Sequence, residues 1–177
     1  MARKVVFEKS YIIDKSVDFI KENGIDKLSA RELTKYIGCS TQPLFRIYNN
    51  MDIYKKDLKK ELNKEYNEFL EKYIDKDNYL LSISYAYVMY AKKENDLFKA
   101  LFISDLSDKK LIKNDKTIIE EIVKQYNVSE AKAESVYRDV SIYTHGLATQ
   151  LCLKSLNISD KDLFYLINTC IKKNIKG

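Results

Sequence analysis

Three features of the sequence predict an all-α fold. Glycine and proline, which punctuate sheets and tight turns, are scarce, at four and one in 177 residues. Lysine, glutamate, leucine, isoleucine and tyrosine dominate, and no run of strictly alternating polar and apolar residues stands out. Apolar residues recur instead at spacings of three and four, over enough segments for about nine helices. A hydrophobic content of 45% in a chain of this length is enough for a real core.

The first helix is expected from about Glu8 to Glu22, with Ile13, Val17 and Ile20 at i, i+4 and i+7 and with Ile12 and Phe19 widening the stripe. Gly24 stops it. Ser29 opens a second helix, and Glu32, three residues on, completes a capping box. Leu33 and Ile37 form its apolar side, and Gly38 ends it after about two turns. Ser40 is placed to cap a third helix, with Pro43 in the first turn, where a missing N–H costs little. Leu44 and Ile47 (or Tyr48) face inward. Asn49-Asn50 signals a turn, after which Asp52 caps a long fourth helix reaching about Tyr73. Asp75 to Asn78 is a polar break. Further helices are expected over 79–93, 95–104, 116–127, 129–155 and 159–175, the last two capped by Ser129 and Ser159, while Ser104 to Asp115 reads as a loop.

A turn as short as Gly38-Cys39 forces the second and third helices to cross steeply. Leu33, Ile37, Leu44 and Ile47 close the gap between them, and the first helix supplies a third wall. The outer face of the third helix then projects Thr41, Gln42, Phe45 and Arg46. Glutamine and arginine are side chains that read base edges in a major groove. The charge distribution agrees. Residues 1–60 hold 13 basic and 8 acidic residues, a net of +5, whereas residues 61–177 hold 18 of each. A positive module on a neutral body suits a polyanion. A helical hairpin with a solvated face has the same pattern, so an interaction module without DNA stands as the alternative at this point.

Residues 12–54 resemble, without a gap, the DNA-binding domain of the tetracycline-repressor (TetR/AcrR) family. The match begins at Ile12-Ile13, passes Gly24, and runs through Leu28-Ser29-Ala30-Arg31-Glu32-Leu33. It continues through Gly38-Cys39-Ser40-Thr41-Gln42-Pro43-Leu44-Phe45 and Tyr48 to the Asp52 start of the fourth helix. The resemblance implies a helix-turn-helix DNA-binding domain over 1–51 and a helical ligand-binding and dimerisation domain over 52–177. It also implies a homodimer on a palindromic double-stranded DNA operator, a small-molecule effector that releases it, and repression of transcription. DNA contacts are accordingly expected from Ser29, Arg31, Ser40, Thr41, Gln42, Pro43, Phe45, Arg46 and Lys55. Three positions depart from the family pattern. Phe45 stands where a tyrosine hydroxyl usually binds phosphate, Met51 where a lysine usually does, and Tyr48 where a buried phenylalanine is usual. Arg46, Lys55 and Lys56 are the charges placed to compensate.

In the remainder, Tyr85, Met89, Phe98, Phe102, Tyr143 and His145 are candidates to line an effector pocket, with Tyr87, Tyr90 and Phe164 beside them. Aromatic residues at helical spacing equally build an ordinary core. His145, the sole histidine, reads either as a hydrogen-bonded interior residue or as a ligand contact. The last two helices carry Val136, Val140, Leu147, Leu151, Leu163, Leu166, Ile167 and Ile171 over a wide arc. One face can pack on the body and another on a twofold mate in a four-helix bundle. A regulator without a pocket, controlled by a protein partner or by abundance, is the other reading.

No glycine-rich phosphate loop, nucleophile motif or plausible triad is present, and one histidine with no nearby Cys, Asp or Glu set makes no metal site. Neither an enzyme nor a cofactor nor a metal is expected. Cys39, Cys152 and Cys170 lack metal or disulfide spacing and read as reduced, mostly buried thiols of a cytoplasmic protein. The Met-Ala-Arg-Lys-Val-Val start has charge but no long apolar stretch, so no signal peptide is expected. The most apolar stretch, 79–91, spans 13 residues and includes Ser82, Ser84 and four tyrosines, too short and too polar to cross a bilayer.

Overall fold

The computed structural model describes residues 8–107 and 115–177. Among the described residues there are nine α-helices and no strand, the all-α class expected. They are α1 (Lys9–Asn23), α2 (Ala30–Ile37), α3 (Gln42–Ile47), α4 (Met51–Glu71), α5 (Tyr79–Lys93), α6 (Asn95–Phe98), α7 (Lys116–Tyr126), α8 (Glu130–Cys152) and α9 (Asp160–Lys176). A 3-10 turn covers Ile25–Lys27, and a π-helical turn over Lys99–Ile103 follows α6. The chain start read for a signal peptide, and residues 108–114 of the expected loop, lie outside the described residues. No helix among the described residues is long and apolar enough to cross a membrane. The described residues fall into two compact units, 8–65 with 96–107, and 66–95 with 115–177.

In the first unit, the α1 stripe of Ile12, Ile13, Val17, Phe19 and Ile20 is buried as its spacing requires. Ser29 caps α2 by accepting the Glu32 N–H at 3.2 Å, the serine half of the expected box. Gly38 ends α2 at φ +81°, ψ +33°, the left-handed conformation that favours glycine. The Gly38 N–H donates to the Lys35 carbonyl and the Cys39 N–H to the Thr34 carbonyl, which satisfies the last turn before the chain reverses. Two expected caps are corrected. Ser40 does not cap α3: Thr41 holds the cap position without a side-chain capping bond, and its carbonyl accepts from the Phe45 N–H at 3.1 Å, so the ladder starts one residue later. Asp52 does not cap α4; Asn50 does, its Oδ1 accepting the Ile53 N–H at 3.0 Å, and Asp52 lies inside the first turn.

Leu33, Leu44, Tyr48, Tyr54 and Leu58 complete this core. Tyr48 and Tyr54 meet edge-to-face at 5.4 Å. The Tyr54 hydroxyl donates to Ser16 Oγ at 2.8 Å, and Ser16 donates in turn to the Ile12 carbonyl at 2.6 Å. Burial raises the Tyr54 phenol well above its ordinary range. Residues 96–107 belong to the same unit, with Phe98, Ala100 and Leu101 buried and Lys99 ion-paired to Asp26.

In the second unit, α5 lies against α8, and α7 and α9 each pack on both. Asp115 caps α7 through the Thr117 and Ile118 N–H groups, Ser129 caps α8 through Lys132, and Ser159 caps α9 through Asp162. Val136, Val140, Leu151, Leu163, Ile167 and Ile171 are buried within the single chain, while Leu147 and Leu166 are half-buried. Most of the arc expected to serve both body and mate is therefore used by the body. The apolar side chains left exposed are others: Ile142 on α8, Leu153 just beyond it, and Phe164 and Tyr165 on α9. Of the cysteines, Cys152 is buried, whereas Cys39 and Cys170 are half-buried, fewer buried thiols than expected.

The two buried tyrosines of the first unit make a matched test. The Tyr48 hydroxyl is buried without a protein partner, unlike that of Tyr54. In urea denaturation, Tyr54→Phe is expected to lower stability by about 1 kcal/mol through loss of a buried hydrogen bond. Tyr48→Phe is expected to leave stability unchanged or raise it, because it removes an unpaired polar atom. Equal losses at both positions would contradict this account.

Candidate nucleic-acid interface

A helix of six residues such as α3 cannot hold itself together in water, so its neighbours fix its orientation. Leu44 is 1% exposed and anchors the inner side. Gln42, Phe45, Arg46 and Asn49 recur at i, i+3, i+4 and i+7, and all four are exposed. Of the outer face expected from the sequence, Gln42, Phe45 and Arg46 lie in this stripe, Thr41 does not, and Asn49 was not expected there. Thr41 and Pro43 are half-buried at its flank, and Ser40 is exposed just ahead of it. Ser29 and Arg31 are exposed at the start of α2, and Lys55 and Lys56 on α4. Arg31, Arg46 and Lys55 enter no ion pair among the described residues, so their charge is directed at solvent or at a ligand.

Sequence reasoning missed the ion pairs that join α1 to α4. Lys9 pairs with Asp57 at 2.5 Å, and its ammonium lies 5.4 Å from the Tyr48 ring centre. The Lys9 hydrogen bond, with Lys60 adding to it, holds the Asp57 carboxyl below its ordinary value. Burial, reinforced by the Asp57 charge, pushes the Tyr48 hydroxyl up to about 12. Lys21 bridges to Glu65 at 2.9 Å further along α4. No local pattern marks these pairs, because each joins residues far apart in sequence.

The six expected pocket residues fall in different units. Phe98 and Phe102 belong to the first, with ring centres 5.1 Å apart and Phe98 fully buried. Tyr85, Met89, Tyr143 and His145 belong to the second. Met89 is buried, and Tyr85 is half-buried edge-on to Phe164 at 5.5 Å. Tyr143 is half-buried too, and burial raises its phenol. His145 is half-buried, and its Nδ1 lies 2.7 Å from the Tyr87 hydroxyl. Tyr66, which the sequence reading passed over, joins this cluster, 5.0 Å from the Tyr90 ring and 6.4 Å from the Tyr87 ring. A surface cleft of about 430 Å³ in this unit lies between Lys92 and the 154–158 segment, and none of the six lines it. Among the described residues no group of His, Cys, Asp and Glu is placed to hold a metal ion.

Burial lowers the His145 pKa below its ordinary value, so the imidazole is neutral in the folded chain at pH 7. Its folded pKa lies below its unfolded pKa of about 6.5. The stabilising contribution is therefore complete above about pH 6.5 and is lost as pH falls toward the folded pKa, where the unfolded chain binds the extra proton. The thermal midpoint is expected to fall between pH 7 and pH 5 in the parent chain and to fall less steeply in His145→Gln. Parallel profiles would show that His145 titrates alike in both states. No family model matches the chain, and no curated protein matches it.

Proposed function

We propose that the chain is a DNA-binding transcriptional regulator of the tetracycline-repressor type, a repressor that reads a palindromic operator as a homodimer and is released by a small molecule. The observation that carries the reading is the exposed stripe of Gln42, Phe45 and Arg46 on a helix whose reverse is anchored by Leu44. Glutamine and arginine match adenine and guanine edges in a major groove. Ser29, Arg31, Ser40 and Lys55 are exposed nearby in sequence and supply polar and basic contacts to the backbone.

One short helix touches few bases, so a pair spaced about 34–36 Å apart is needed to read an operator. The exposed Ile142, Phe164 and Tyr165 supply the mate-facing surface. Gly146 lies one turn beyond Ile142, exposed, with open space where its side chain would be. Glycine inside a helix costs about 1 kcal/mol relative to alanine, a cost offset where another helix approaches closely. For release, α4 is one continuous helix whose early turns belong to the first unit and whose end belongs to the second. An effector that binds one setting of α4 more tightly shifts the spacing of the reading helices by that differential affinity alone.

A second reading keeps DNA binding and drops the effector, with control by a protein partner or by abundance. The full burial of Phe98 and Met89 as ordinary core favours it. A thermal-shift screen of small molecules against DNA-bound protein separates the two.

Purified protein is expected to enrich one palindromic sequence from a random duplex pool. Arg46→Ala is expected to weaken binding to that duplex by about 1–3 kcal/mol and to relax specificity at one base position, whereas Lys55→Ala is expected to weaken binding to all duplexes alike and to reduce the slope of log affinity against log salt by about one. Failure to enrich any sequence would overturn the reading. In sedimentation, the parent chain is expected to be a dimer and the double variant Ile142→Glu/Tyr165→Glu a monomer with unchanged helical content; a parent monomer would remove the dimer from the proposal.

A further inference from the structure

We infer that Phe45 is a specificity-determining residue that reads the C5-methyl group of a thymine in each operator half-site. The inference rests on the DNA-binding reading above and adds the base class that the apolar part of the stripe selects.

Phe45 is 46% exposed, flanked on the same face by Gln42 at i−3 and Arg46 at i+1. A large ring this open on a six-residue helix cannot be explained by packing, since Leu44 and Tyr48 already fill the inner side. The residues that share its exposed stripe are polar or basic, namely Gln42, Arg46 and Asn49 on α3 and the turn after it. An apolar protein partner would leave those groups desolvated, whereas a duplex groove pairs them with phosphates and base edges. Phenylalanine has no donor or acceptor, so it makes no hydrogen bond to phosphate or to a base edge. The thymine methyl is the apolar group that a major groove offers such a ring. Gln42 and Arg46 on either side fix the register in which the ring meets it.

The test uses the full chain and the duplex that it selects from a random pool. Each thymine of one half-site is replaced in turn by deoxyuridine, which deletes the methyl and keeps every hydrogen-bonding group. Burial of one methyl is worth about 0.8 kcal/mol, so affinity is expected to fall about fourfold at a single thymine per half-site. The parent chain and Phe45→Ala are then compared on both duplexes. Phe45→Ala is expected to bind the thymine duplex more weakly and to lose the fourfold preference, while its circular dichroism is unchanged. Phe45→Leu, which keeps an apolar side chain, is expected to retain part of the preference and serves where Phe45→Ala binds too weakly to measure. A selected duplex that tolerates every thymine-to-deoxyuridine change, or a preference that survives in both variants, overturns the role of Phe45 and leaves DNA binding intact. A pool from which no sequence is enriched overturns DNA binding itself, and this inference with it.

Discussion

The direction of the outer face of α3 depends on the burial of Leu44 and Tyr48 beneath a helix of six residues. Such a segment has too few hydrogen bonds to be stable by itself, because helix nucleation fixes several residues before any propagation gain. Its direction is therefore borrowed. Gly38 reverses the chain in a conformation that other residues adopt at a cost, Pro43 presets the first turn, and Asn50 starts the next helix at once. With both ends fixed and the inner side filled, the helix has one orientation available and its outer face one direction. That pre-organisation is what a groove-reading helix requires, because ordering it on binding would subtract from affinity.

Much of this was legible in the sequence, and the reasons are local. Ser29 acts through a side-chain hydrogen bond to a residue three positions on, and Gly38 and Pro43 through their own backbone geometry, so their positions delimit α2 and α3 without reference to the rest of the fold. The stripes of α1 and α3 follow from helical periodicity alone. The helix-start details were less legible. The sequence reading placed the caps at Ser40 and Asp52, and the position of a cap depends on where the helical hydrogen-bond ladder begins. The Thr41 carbonyl takes the first bond of α3, and Asn50 Oδ1 accepts from the Ile53 N–H, which places the start of α4 ahead of Asp52.

Long-range features escaped altogether. Lys9 with Asp57 and Tyr54 with Ser16 join helices that neither periodicity nor capping relates. In the second unit the periodicity of α8 and α9 marked their apolar residues but could not divide them between the chain's own core and another surface. Burial assigns Val136, Val140, Leu163, Ile167 and Ile171 to the core and leaves Ile142, Phe164 and Tyr165 outside it. An expected pocket drawn from aromatic spacing likewise mixed residues of different units, because spacing identifies an apolar face and says nothing about what covers it.

The membership of residues 96–107 in the first unit has a practical meaning for anyone who wishes to graft this head onto another protein. A fragment cut after α4 would omit Phe98 and Leu101 and strand Asp26 without its lysine. The head is thus discontinuous in the chain and is not excisable as an N-terminal piece. Chimeras that exchange heads must carry both segments, and recombination at a single crossover point would break the structure that it aims to transplant.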